Sequence, residues 1–204
     1  QTVSSKVLMD AICVAQRETG QPYICYKDHV NRQSNQLNIG TIKSSNLCTE
    51  IMEWSSPDSY ASCILTSINL TAYVIDETGA PVSNGKHGFG FDIKRLGETV
   101  KQIVRNLNSV INVNMYPVPE CETNAKTLRP IGIGIQGLAN VFFSLGYPFI
   151  SKQAEELDLL ISETIYYYAL WESSEIASES GTYRDFDTSP AARGELHFDM
   201  WKKN

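Results

Sequence analysis

Histidine is scarce in this chain of 204 residues: there are three, His29, His87 and His197, far apart. No two cysteines stand at C-x-x-C spacing, so a zinc pattern is missing, and no metal site is expected. No apolar run approaches the roughly 18 residues that cross a bilayer. The opening QTVSSKVLMDAIC also lacks the charged and apolar regions of a signal peptide, so no membrane partner and a cytoplasmic location are expected. Cations are in the minority, with 17 Lys and Arg against 23 Asp and Glu and a formal net charge of −6. With no basic stripe to follow a phosphate backbone, nucleic acid is a poor partner. The five cysteines, Cys13, Cys25, Cys48, Cys63 and Cys121, are odd in number and irregularly spaced. Such a set fits reduced thiols better than a disulfide framework.

What is present is an ordinary folding composition, with 42% hydrophobic residues in a length that suits one large domain or a domain and a half. Apolar residues at three- and four-residue steps predict a helix over 4–19 with one buried face, stopped by Gly20 and Pro22. Residues 23–26 are β-prone. The stretch 27–45 is polar, with almost no apolar period, and long loops of that kind are usually functional or mobile. Segments 46–54 and 60–74 read as strand or strand-and-turn, separated by the breaker Ser55-Ser-Pro-Asp58. After a glycine-rich turn over 79–90, Asp92 caps a long helix whose stripe runs from Ile93 through Leu96, Val100, Val104 and Leu107 to Ile111. Residues 116–119 read as extended, 130–135 as a short buried strand and 136–145 as a helix. A long helix follows, capped by Ser151 and closed by Gly181, and then a turn-rich tail over 182–204. Helices alternating with short apolar strands indicate an α/β arrangement with crossover helices. The chain opens without Met and enters a helical pattern almost at once, as a segment of a longer polypeptide would.

Several patterns bear on chemistry. Gly132-Ile-Gly134-Ile-Gln-Gly137 satisfies G-x-G-x-x-G between a strand and a helix, which alone suggests a dinucleotide. The acidic residues about twenty positions on, Glu155, Glu156 and Asp158, fall inside a predicted helix and not at a strand end, so tight strand–helix packing is the better reading. Asn69-Leu-Thr71 matches a glycosylation acceptor by coincidence, and a hydrolase dyad of Cys48 with one of the histidines has no local support. The informative segment is Asn46-Leu-Cys48-Thr-Glu50. In an extended backbone its even positions would project together, placing an amide, a thiol and a carboxylate in one row. Cys63 is a second thiol in an apolar, strand-like setting fifteen residues on. A half-buried strand explains the spacing as well, and two thiols with an amide and a carboxylate suit several radical or redox chemistries.

At these residues the sequence resembles the large, catalytic subunit of class I ribonucleotide reductase. The resemblance runs in order through Thr19-Gly-Gln-Pro-Tyr23, Tyr26-Lys-Asp28, Gly40-Thr-Ile-Lys43 and Ser45-Asn-Leu-Cys-Thr-Glu-Ile51. It continues through Val104-Arg-Asn-Leu-Asn108, Tyr116-Pro-Val-Pro119, Arg129-Pro-Ile-Gly-Ile-Gly134, Gln136-Gly-Leu-Ala139, Glu163-Thr-Ile-Tyr-Tyr167 and Asp199-Met-Trp201. The resemblance implies a ten-stranded α/β barrel of two parallel five-stranded halves, incomplete in this chain, with a central finger loop near 40–54. Residues 1–204 would form the central segment of that catalytic barrel. Cys48 matches the cysteine that becomes a thiyl radical and abstracts the 3′ hydrogen of a ribonucleoside diphosphate. Glu50 matches the carboxylate that takes the 3′-OH proton, Asn46 the amide that orients the ribose, and Leu47 lies with them in the substrate-binding stretch. Cys63 matches one of the two thiols that reduce the 2′ carbon and end as a disulfide.

The resemblance also implies partners. A small metal-containing subunit would supply the radical, thioredoxin or glutaredoxin would restore the thiols, and the complete large subunit would be a homodimer. No cofactor is expected in this chain itself. The second reducing thiol and the effector sites would lie upstream, while the phosphate-binding turn, the radical-relay tyrosines and the C-terminal thiols would lie downstream. These 204 residues are therefore not expected to turn over alone. Two other readings stand beside this one: a non-catalytic structural or interaction module of the same ancestry, and a related thiyl-radical reductase dependent on adenosylcobalamin or a glycyl radical.

Overall fold

A computed structural model describes residues 2–82 and 86–201, so part of the glycine-rich turn over 79–90 and the end of the tail lie outside the described residues. The chain divides into two compact units, one of residues 1–56 with 185–204 and one of residues 57–184. In order, the elements are α1 (Ser5–Thr19), α2 (Lys27–Arg32), β1 (Ile64–Asn69), β2 (Val74–Ile75), β3 (Gly90–Phe91) and α3 (Ile93–Val113). They continue with α4 (Pro119–Leu128), β4 (Ile131–Gln136), α5 (Leu138–Leu145), α6 (Lys152–Ser180) and α7 (His197–Trp201).

The second unit carries the α/β character. Strands β1 and β4 pair in parallel, with Ile64 opposite Ile131 and Asn69 opposite Gln136. Parallel neighbours need a long crossover, and here the connection includes α3. Strands β2 and β3 form a separate antiparallel pair. The fold is thus mixed helix and sheet, and among the described residues the strands form two two-stranded sheets.

Helix α3 begins as its sequence indicates: the Asp92 side chain accepts a hydrogen bond from the Arg95 backbone N–H at 2.9 Å. Its stripe is the centre of the core, with Leu96, Val100 and Ile111 completely buried. Around it gather Ile68 and Leu70 from β1 and the turn after it, Val141 from α5 and Ile161 from α6. Helix α6 is capped by Ser151, whose hydroxyl accepts from the Ala154 N–H, and it ends at Gly181.

Helices α3 and α6 pack closely at Gly97. A methyl group there would stand 2.6 and 2.7 Å from two carbons of the Tyr168 ring, inside contact distance. Gly97→Ala gains helix propensity of up to about 1 kcal/mol, but displacing a packed ring costs about 1–3 kcal/mol. The expected net result is a lower thermal midpoint, readable by calorimetry, and a rise would show that the ring yields freely.

The glycines of Gly132-x-Gly134-x-x-Gly137 serve packing, as expected. Gly132 lies under Leu65, and a Cβ at Gly134 would meet the Ser67 hydroxyl at 3.1 Å. Gly137 adopts φ 78° against Thr71, a conformation that favours glycine. The Asn69-Leu-Thr71 triplet is explained locally as well, since the Asn69 side chain accepts from both the Thr71 N–H and the Thr71 hydroxyl, capping a short 3-10 turn.

Four expectations are corrected. Residues 23–26 form no strand, because nothing pairs with them among the described residues. Residues 46–54 form turn and irregular backbone instead of strand. Strand β4 is half-buried at Ile131–Ile133 and exposed beyond, so it is not the fully buried strand its apolar run suggested. Helix α1 forms, but among its residues none is buried, and Val7, Leu8, Met9 and Val14 are exposed.

Helix α4 adds to the elements expected from periodicity. Its N-terminal signal lay in plain sight, with Pro119 at the first position and Glu120 and Glu122 in the first turn.

Candidate active site

The first unit positions Asn46, Leu47, Cys48 and Glu50 through amide side chains, which explains how a polar stretch without apolar period can be ordered. The Asn31 amide pairs with Ile42 in both directions, accepting from its N–H at 2.7 Å and donating to its carbonyl at 2.9 Å. Ile42 is the buried hydrophobic anchor of this stretch. Gln36 Oε1 accepts from the Trp54 N–H at 2.6 Å, and the Trp54 ring lies so close to Gly40 that a Cβ there would collide with it. Asn38 Nδ2 donates to the Asp185 carbonyl and the Thr188 hydroxyl at 2.9 and 3.0 Å, tying the loop to the tail of its own unit. Side-chain amides thus do here what ladder bonds do in a sheet.

Between Gly40 and Trp54 the chain makes a tight turn. The Thr49 N–H donates to the Asn46 carbonyl at 3.2 Å, and the Asn46 side-chain oxygen accepts from the Ile51 N–H at 3.1 Å. Thr49 sits at φ 70°, a left-handed conformation that is costly for a β-branched residue. That residue breaks the alternation on which the row of 46, 48 and 50 rested. The Asn46 Oδ1 is instead engaged in its own turn, while Leu47, Cys48 and Glu50 are all exposed, Leu47 to 85%. The shielded sulfur expected of a radical thiol is not provided by this unit by itself.

Cys63 belongs to the second unit and is half-buried. It immediately precedes β1, with its thiol 3.8 Å from the Ile64 carbonyl and 3.6 Å from the place a Cβ on Gly132 would take. A side chain at residue 132 would therefore reach van der Waals contact with the thiol. The residue of this neighbourhood that spacing did not single out is Asn124, completely buried on the unanticipated α4.

The electrostatics of the second unit centre elsewhere. Arg105 on α3 reaches across to α6, forming a two-pronged bond to Glu179 at 2.8 and 2.9 Å and an ion pair with buried Glu172. The Arg105 hydrogen bond holds the Glu179 carboxyl below the usual carboxylate range. His197, on α7 of the first unit, is pushed down by burial. Among the described residues no group of three or more His, Cys, Asp or Glu is arranged to hold a metal ion. No helix among them is long and apolar enough to cross a membrane.

The comparisons with known proteins agree on one family. The family model described as the ribonucleotide reductase barrel domain matches residues 1–204. The ribonucleoside-diphosphate reductase large subunit of Caenorhabditis elegans is 49% identical over 201 residues, covering 98% of this chain and 24% of that protein. The large chain of Schizosaccharomyces pombe is 48% identical over 194 residues, covering 95% of this chain and 22% of that protein. The large subunit of vaccinia virus is 47% identical over 199 residues, with 98% and 24% covered. The chain spans about a quarter of the length of these curated relatives. A match that takes in every residue, with relatives near half identity along nearly all of it, means that the chain belongs to the ribonucleotide reductase barrel-domain family.

Proposed function

We propose that the chain is the central catalytic segment of a ribonucleoside-diphosphate reductase large subunit, reducing ribonucleoside diphosphates to 2′-deoxyribonucleoside diphosphates by thiyl-radical chemistry. The observation that carries this reading is the family match over residues 1–204, within which Asn46, Cys48, Glu50 and Cys63 all stand at the resembling positions. In this reading the strands belong to a ten-stranded barrel, and residues 40–54 are its finger loop. The complete protein is cytoplasmic and dimeric.

The roles follow from the chemistry of each group. A small metal-containing subunit supplies the radical that leaves Cys48 as a thiyl. Cys48 takes the 3′ hydrogen atom of the ribose and returns it at the end, so the thiyl is regenerated. Glu50 accepts the 3′-OH proton, and Asn46 and Leu47 orient and cover the sugar. Cys63 and a second thiol give up two electrons and two hydrogens, the 2′-OH departs as water, and a disulfide remains for thioredoxin or glutaredoxin to reduce. Asn46 can keep its Oδ1 bond to the Ile51 N–H while its Nδ2 donates to the ribose, and the shielding that a radical requires must come from parts of the large subunit outside these residues. The exposure of Cys48 is equally what a non-catalytic module would give, so activity decides between the two.

The test is a complete large subunit containing this chain, assayed with its small subunit and a dithiol for conversion of CDP or ADP. Turnover is expected, with none from residues 1–204 alone. Glu50→Gln is expected to lower kcat by about 100- to 10,000-fold while the diphosphate still binds. A complete assembly that binds nucleoside diphosphate and never reduces it would leave the non-catalytic reading standing.

A further inference from the structure

We propose that Asn124 is a positioning residue for Cys63, acting through the segment 59–62 and not by contact with substrate. The functional half of the proposal rests on Cys63 being a reducing thiol. The mechanical half rests on the structure of the second unit. Asn124 is completely buried on α4, and both ends of its amide are engaged. Its Oδ1 accepts from the Ser62 N–H at 3.3 Å, and its Nδ2 donates to the Ser59 hydroxyl at 3.2 Å. Ser59 is itself buried. An amide flip would set an NH2 against the Ser62 N–H, so the pattern admits one orientation.

Backbone bonds complete the hold. The Tyr60 N–H donates to the Glu120 carbonyl at 3.1 Å, and on the far side of Cys63 the Ile64 N–H donates to the Pro130 carbonyl at 3.4 Å. Cys63 is thus bracketed, with residues 59–62 fastened to α4 and residue 64 to the start of β4. The helix that carries Asn124 is itself pinned. Arg129 at its C-terminus, at φ 52°, donates from Nε to Asn108 Oδ1 and from Nη2 to the Asn108 carbonyl, both at 2.8 Å.

A reducing thiol works only from near-attack distance, where a misplacement of about 1 Å costs on the order of 100-fold in rate. Strand pairing fixes the backbone after Cys63 but not before it. Asn124 supplies the side-chain part of that missing constraint, which accounts for a fully buried polar residue on a short helix.

The experiment uses the complete large subunit with its small subunit. Asn124→Ala is expected to lower kcat by about 10- to 100-fold with KM for the diphosphate unchanged. It is also expected to speed iodoacetamide labelling of Cys63 at least threefold relative to Cys121, both tracked by peptide mass. Ser59→Ala leaves the bond between Asn124 and the Ser62 N–H in place and should give the same shifts at smaller size, keeping the test available if Asn124→Ala does not fold. Unchanged Cys63 labelling overturns the proposal, as does an equal rise at Cys121, which lies on the same helix and would report general loosening. Cys63→Ser separates the two layers. If that variant still forms deoxynucleotide, the reductant role of Cys63 fails, while the labelling result still decides whether Asn124 holds the segment.

Discussion

Cys48→Ser in the complete large subunit is expected to abolish deoxynucleotide formation, by on the order of 10,000-fold or more, the scale seen when a group that performs the chemistry is deleted. The exchange is close to isosteric, so the turn between Asn46 and Ile51 should persist, because its hydrogen bonds come from Asn46 and Thr49 and not from the thiol. What changes is the bond that must break. A thiol S–H gives up its hydrogen atom to a radical far more readily than an alcohol O–H, so the serine neither accepts the radical nor passes it to the sugar. Equilibrium binding of the diphosphate should remain within a few-fold, and that separates lost chemistry from lost structure. Retention of even a tenth of wild-type activity would remove Cys48 from the mechanism.

This prediction depends on residue identity more than on geometry, and the difference reflects how the site could be read. The pattern Asn46-Leu-Cys-Thr-Glu50 is informative through its family resemblance. A row of 46, 48 and 50 requires an extended backbone, which Thr49 at φ 70° breaks. Nothing in the composition of that segment announces a left-handed threonine, whose turn is closed by the Asn46 side chain taking the Ile51 N–H. Asn124 was invisible for a related reason: a buried amide is recognised by its partners at Ser59 and Ser62, about sixty residues away, and not by its neighbours in sequence.

The fold was more legible where one signal was both local and repeated. Helix α3 combined a cap at Asp92 with a stripe recurring at three and four over its length, and helix α6 had Ser151 and Gly181 at its ends. The glycines of β4 could be assigned to packing because the acidic partner a dinucleotide requires was misplaced. Helix α1 shows the limit of periodicity, which identifies an apolar face but not what covers it. Its residues Val7, Leu8 and Met9 remain exposed although the helix itself is where the pattern put it.

Leu96→Ala is expected to cost about 2–5 kcal/mol, the range for truncating a fully buried leucine. Leu96 is completely buried within the cluster that includes Ile68, Leu70, Val100, Val141 and Ile161. The loss combines the transfer energy of the deleted carbons with a cavity that elements packed from both sides cannot collapse to fill. In urea the midpoint should fall while the dependence on denaturant stays the same, since the surface exposed on unfolding is nearly unchanged. Leu65→Ala provides the contrast on β1: Leu65 is 51% exposed, so its loss should be smaller, about 1 kcal/mol. The two large predictions then separate by what is lost. Leu96→Ala lowers the amount of folded subunit while each folded molecule keeps its kcat, whereas Cys48→Ser leaves the folded population intact and takes the turnover away. A Leu96→Ala subunit with full stability would mean that this core is looser than its burial implies, and the rigid support assigned to the segment before β1 would have to come from elsewhere.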